Sequence, residues 1–176
     1  MPARRAEIGP QRTWPFWKMG LVVLGLSAAW AQANATAARY RFLVNRTESL
    51  PNWAFVLERA GQPQKGNTIF FIPPRNALVA AHFGTAQLIF GKQVLGMPGE
   101  EVRHVGREVY VGARHVGTMK PVSKRGEALA PGPTGVIPKG CYYAGSAHPD
   151  GFDSRYAAIG FVCGGQIVGT GIASVL

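Results

Sequence analysis

Ser49 and Lys92 are the two side chains whose types and settings could do chemistry together. A serine hydroxyl is a weak nucleophile at neutral pH and needs a base within hydrogen-bond reach, and a lysine serves as that base only when its amine is neutral. A lysine ordinarily titrates near 10.4, so working as a base at roughly pH 7–8 requires desolvation in an apolar pocket. Lys92 has the right neighbours: Leu88, Phe90, Val94 and Leu95 flank it, and on a strand it shares a face with Phe90 and Val94. Taken alone, Lys92 also fits a strand on a solvent edge, and Ser49, two residues before Pro51, also fits a turn-capping serine.

Other chemistries find less support. His82, His104, His115 and His148 are widely spread and no CxxC or HExxH spacing occurs, so no metal site is expected, and no motif asks for a cofactor. A Ser-His-Asp arrangement using His148 and Asp153 has only nearness in sequence behind it. Ser123 with Lys120 or Lys124 is a further Ser/Lys pair, but its charged, Gly- and Pro-flanked loop would keep those lysines protonated. Asn45-Arg46-Thr47 is also a glycosylation sequon, a bland competing meaning of the same residues that is set aside. The formal charge of +10 raises the question of nucleic acid. The basic residues are scattered and no nucleic-acid-binding motif appears, so no nucleic-acid partner is expected and anionic lipid headgroups account for the excess equally well.

The elements that would position Ser49 and Lys92 are short. With 23 glycines and 13 prolines in 176 residues, interleaved with β-branched and aromatic runs, the chain predicts a mainly β domain. Strands are expected over 54–57, 68–72, 88–94, 102–105, 109–111, 114–116, 141–144, 157–162 and 166–173, after an extended lead over 39–44. A short helix is expected over 75–83, a turn at Gly96-Met97-Pro98-Gly99, a hairpin connection at Gly112-Ala113 and a long loop over 117–139.

Before this domain, Met19 to Ala38 carries no charge, and its first part is strongly apolar. Arg4, Arg5, Arg12 and Lys18 precede it, a polarity that places the N-terminus in the cytoplasm and the following domain outside, with Trp14 and Trp17 at the headgroup boundary. The apolar core is short of the roughly 20 residues a spanning helix prefers, and Ala29-Trp30-Ala31 and Ala33-Asn34-Ala35 would serve as cleavage sites, so a removable signal peptide rivals a retained anchor. Residues 1–38 are read as cytoplasmic N-terminus plus a single membrane anchor and residues 39–176 as a periplasmic domain. Cys141 and Cys163, the only cysteines, fall in or beside expected strands, so an oxidising compartment would permit a disulfide, with two buried thiols as the alternative.

Three features combine into a resemblance: Ser49 in Asn45-Arg46-Thr47-Glu48-Ser49-Leu50-Pro51 just beyond the apolar run, Lys92 on a strand ending in Gly96-Met97-Pro98-Gly99, and Phe152-Asp153-Ser154-Arg155-Tyr156. Together they resemble the signal peptidase family of serine proteases, with the nearest likeness to its TraF-like conjugative-transfer members, over roughly residues 19–176. The resemblance implies a signal-peptidase-like antiparallel β domain behind one N-terminal transmembrane helix, kept uncleaved. It implies a Ser49/Lys92 dyad, an oxyanion hole built from the Thr47 hydroxyl and the Ser49 backbone N–H, and a structural role for Asp153 and Arg155 in holding the walls of the site. It further implies exported precursors cut after small residues, pilin among them, hydrolysis or pilin cyclisation as the outcome, and a conjugative transfer apparatus as a partner. A housekeeping signal peptidase and a non-catalytic pilus-assembly subunit with the same fold are the alternatives.

Three positions depart from that pattern. Gly151 stands where many relatives have a serine that orients the lysine, Gln93 replaces a usual arginine, and Trp53 replaces a common glycine. If other contacts aim Lys92, Gly151→Ser is expected to be tolerated or to raise activity.

Overall fold

The structure is a computed structural model that describes residues 15–44, 50, 52–86 and 88–175. The chain divides between Ala38 and Arg39 into two units. All but the last residue of helix α1, Phe16–Arg39, falls in the first, and its 24 residues include no buried side chain. At 1.5 Å per residue it is about 36 Å long, enough to cross a hydrocarbon core of about 30 Å. By length and composition α1 qualifies as a membrane span, a test that an N-terminal signal sequence also passes.

The second unit is mainly antiparallel β, as its composition predicts. Its strands are β1 (Tyr40–Val44), β2 (Ala54–Glu58), β3 (Thr68–Phe71), β4 (Phe90–Gly96), β5 (Glu101–Val105), β6 (Glu108–Val111), β7 (Arg114–Thr118), β8 (Gly135–Val136), β9 (Cys141–Gly145), β10 (Val162–Cys163) and β11 (Ile167–Val175). One sheet runs β1-β2-β11-β3-β4-β9-β10 and a smaller one β7-β6-β5-β8. The last long strand, β11, is inserted between β2 and β3, so the end of the chain ties the early strands into the sheet.

Apolar alternation sets which side of each strand is buried. In β4, Lys92, Val94 and Gly96 are buried while Gln93 between the first two is exposed. One core gathers Ile69, Phe71, Val94, Ala144, Ile159 and Val162 around β3, β4 and β9. A second, containing Val102, Val109, Val111, Ile137 and Tyr143, joins the small sheet to β9. Leu50, Phe55, Leu57 and Phe70 form a third. Gly96 has no room for a side chain, because a Cβ there would lie 2.6 Å from Ile137 Cδ1, where β4 hands the chain to the small sheet.

Some sequence expectations need correction. The short helix, α2, covers Ala77–Phe83 rather than 75–83, because the Asn76 side chain accepts the Val79 N–H and caps it. No strand spans 157–162 as a whole. The Ile159 and Gly160 amides both bond the Tyr156 carbonyl, Gly160 takes φ 67°, and only Val162–Cys163 pairs. The expected long loop contains β8, paired with β5, and isolated bridges Val122↔Ala128 and Pro131↔Tyr156. The turn after β4 and the Gly112 hairpin form as expected, with φ 89° at Gly99 and 59° at Gly112.

Candidate active site

Lys92 is only 3% exposed although it carries an amine. Its strand explains this: β4 is interior, flanked by β3 and β9, with Ile69 directly opposite Lys92 on β3. Desolvation by that surrounding lowers its titration below the ordinary lysine range, the nearby Asp153 carboxylate opposes the lowering, and Arg155 adds to it. A buried amine held toward its neutral form is what a lysine base requires.

Ser49 and Thr47, the expected nucleophile and oxyanion donor, lie outside the described residues. Their described neighbour is Leu50, which is buried. A Cβ built on Gly91 would lie 3.0 Å from Leu50 Cδ1. The residue after Ser49 therefore packs on the residue before Lys92.

Asp153, Ser154 and Arg155 form a buried wall beside β9. Asp153 is fully buried and Arg155 3% exposed. The Arg155 Nη2 and Nε donate to the two carboxylate oxygens at 2.8 and 2.9 Å, a forked pair. Asp153 also accepts the Arg155 and Ser146 amides, each at 3.2 Å, and Arg155 donates further to the His148 and Gly151 carbonyls. The Ser154 hydroxyl accepts the Ala144 N–H at 3.0 Å, fastening this segment to β9.

The other pairings weighed from sequence are placed elsewhere. His148 accepts the Asp150 amide at its Nδ1 while Asp153 is engaged by Arg155. Lys120 and Lys124 both pair with Asp150, holding its carboxyl down to about 2, so both amines are turned to that carboxylate. Ser123 hydrogen-bonds Glu127, which also holds His82 at 2.9 Å. Among the described residues no group of three or more His, Cys, Asp or Glu side chains could hold a metal. Cys141 and Cys163 face each other across β9 and β10 and are joined by a disulfide.

The surroundings of Gly151 bear on one expectation. A Cβ at this position would lie 2.8 Å from Asp153 Oδ2 and closer still to Ser146 Oγ and Arg155 Nη2. The corner is already filled, so Gly151→Ser is not readily accommodated. The group that fills it, Ser146, was not singled out from sequence. Only its place one residue beyond the Cys141-Tyr142-Tyr143-Ala144-Gly145 strand, facing the lysine strand, could have marked it.

With this geometry in place, comparison with known proteins assigns the class. Residues 17–176 match the sequence model of the signal peptidases, peptidase S26, and the chain belongs to that family. It is 30% identical over 148 residues to "Conjugal transfer protein TraF" of Agrobacterium fabrum strain C58, covering 77% of this chain and 83% of that one. It is also similar to a signal peptidase I of Enterococcus faecalis V583, with 25% identity, a TM-score of 0.39, and coverage of 62% of this chain and 96% of that structure.

Proposed function

We propose that the chain is a membrane-anchored serine endopeptidase that uses Ser49 as nucleophile and Lys92 as general base on exported precursor proteins. The observation that carries this reading is the buried Lys92, its titration lowered by desolvation, on a strand whose Gly91 packs against the neighbour of Ser49.

In this reading Ser49 attacks the carbonyl carbon while Lys92 takes its proton. The tetrahedral oxyanion is received by the Thr47 hydroxyl and the Ser49 N–H, Lys92 returns the proton to the leaving amine, and a water activated by the same amine releases the acyl group. Asp153 and Arg155 hold the wall of the site and take no part in proton transfer. Substrates are precursors cut after small residues. Similarity to a conjugal transfer protein favours a conjugative setting, with pilin precursor as substrate and the transfer apparatus as partner. Helix α1 is the retained anchor, its basic flank on the cytoplasmic side of the bacterial inner membrane and the β domain in the periplasm.

The test is processing of a coexpressed precursor by cells carrying Ser49→Ala or Lys92→Ala, with N-terminal sequencing of product and peptidase from the membrane fraction. Loss of processing in both folded variants and an intact peptidase N-terminus support the reading. Processing retained in either variant rejects the dyad, and a peptidase chain starting near Gln32 or Thr36 rejects the retained anchor.

A further inference from the structure

Ser146 is 3% exposed and its Oγ is a buried side-chain oxygen with no hydrogen-bond partner among the described residues. Buried hydroxyls are nearly always satisfied, and leaving one unmade costs about 1–3 kcal/mol. Its surroundings narrow the choice of partner. Asp153 Oδ2 already accepts the Ser146 amide and Arg155 Nη2, and Arg155 Nη2 already serves Asp153, His148 and Gly151.

The strand register supplies a remaining donor. β4 and β9 pair Val94 with Ala144 and Gln93 with Gly145, and one more step in that register brings Ser146 opposite Lys92. Facing residues of an antiparallel pair project to the same side, with Cα atoms about 4.5–5.5 Å apart. The Lys92 amine also feels the charges of Asp153 and Arg155, the same two side chains that line the Ser146 corner. Gly151 completes the geometry: its missing side chain leaves the space that the Ser146 hydroxyl occupies, and a Cβ there would collide with Ser146 Oγ.

We propose that Ser146 is the positioning residue for Lys92: its hydroxyl accepts an N–H of the lysine amine and thereby turns the amine lone pair toward the nucleophile. The inference rests on the reading of Lys92 as general base. The hydroxyl acts only through Lys92 and touches no substrate. In the free protein the contact is unmade, and it forms when a bound substrate draws the amine into line, as catalytic hydrogen bonds commonly do.

The experiment compares the full chain in detergent with its Ser146→Ala and Ser146→Thr variants in precursor cleavage. In parallel, Lys92 is titrated by NMR of lysine side chains labelled with carbon-13, with a precursor peptide bound in a Ser49→Ala background that binds but does not cleave it. Ser146→Ala is expected to lower kcat about three- to tenfold, the worth of one hydrogen bond, with KM within twofold. It is also expected to shift the Lys92 titration to lower pH, since the ammonium loses an acceptor, while Ser146→Thr retains most of kcat. The melting temperature of Ser146→Ala should stay at or above that of the parent, because the hydroxyl it removes has no partner among the described residues. A kcat within twofold of the parent together with an unmoved Lys92 titration overturns the proposal. Cleavage by Lys92→Ala at the parent rate removes the dyad reading beneath it, so the two failures are told apart.

Discussion

Replacing Lys92 by methionine separates the chemical role of this residue from its effect on stability, because the two should move in opposite directions. The side chain is 3% exposed, between β3 and β9, and burial is the first cause of its lowered titration. Methionine is close in length, flexible and apolar, so it fills the slot and removes an amine that resists desolvation. Asp153 does not become an orphan, since Arg155 still grips both its oxygens. Replacing a buried ionic group by an apolar one of similar volume is neutral or stabilising by about 1–4 kcal/mol, and for a chain of this size 1 kcal/mol corresponds to roughly 2–4 °C in Tm. A rise of about 2–16 °C at pH 6 is therefore expected. The sign with pH follows from linkage. Between the folded titration point of Lys92 and about 10.4 the unfolded chain binds the extra proton, so parent stability climbs as pH rises and the advantage of methionine shrinks toward pH 10. Cleavage should meanwhile fall at least about 10²-fold, the lower bound for losing a general base. Thermal melts at pH 6 and pH 10 beside a precursor-cleavage assay read both effects. A Tm that drops at both pH values would show that the amine is structurally bonded rather than held ready as a base.

The acid limb of kcat/KM for precursor cleavage should report the neutral form of Lys92, rising with pH to a midpoint below the ordinary lysine range, and a midpoint at or above pH 10 would contradict its desolvation. Asp153→Asn strips a charge from Arg155 in a setting where both are buried; a loss of about 3–5 kcal/mol, seen as a Tm lower by roughly 6–20 °C, is expected, and an unchanged Tm would deny the pair its role in holding the wall. Cys141→Ala with Cys163→Ala opens a loop of 22 residues and is expected to lower stability by about 3 kcal/mol in denaturant melts without moving kcat; loss of kcat in the folded variant would tie the disulfide to the site.

The mainly β architecture was legible because glycine and proline punctuate β-branched runs, and most strands fall where those runs lie. The 157–162 segment misled for a physical reason. Its apolar residues are buried by turns around Tyr156 rather than by a ladder, and burial leaves the same apolar pattern in either conformation. Helix α2 was misplaced at its start because Asn76, a capping residue, outranks the earlier proline as the helix boundary. At the site, the apolar neighbours of Lys92 pointed to it only together with Gly96-Met97-Pro98-Gly99 after its strand, and Asp153-Ser154-Arg155 stood out by its motif. Ser146 did not, because its meaning depends on which residue faces it across β4 and β9 and on the room left by Gly151, both consequences of register. The same ground weighs against the expectation for Gly151→Ser: a glycine reads as empty space in sequence, whereas here the space belongs to Ser146 and Arg155.

The central claim, that Ser49 is the nucleophile activated by Lys92, is tested most directly by trapping the acyl-enzyme. The purified full chain is mixed with an activated ester of a peptide ending in a small-x-small sequence, quenched in acid within the first turnover, and mapped by mass spectrometry. The account predicts one acyl adduct, on the peptide containing Ser49, absent in Lys92→Ala. An adduct on Ser123, Ser146 or Ser154, or undiminished acylation of Ser49 in Lys92→Ala, would contradict it.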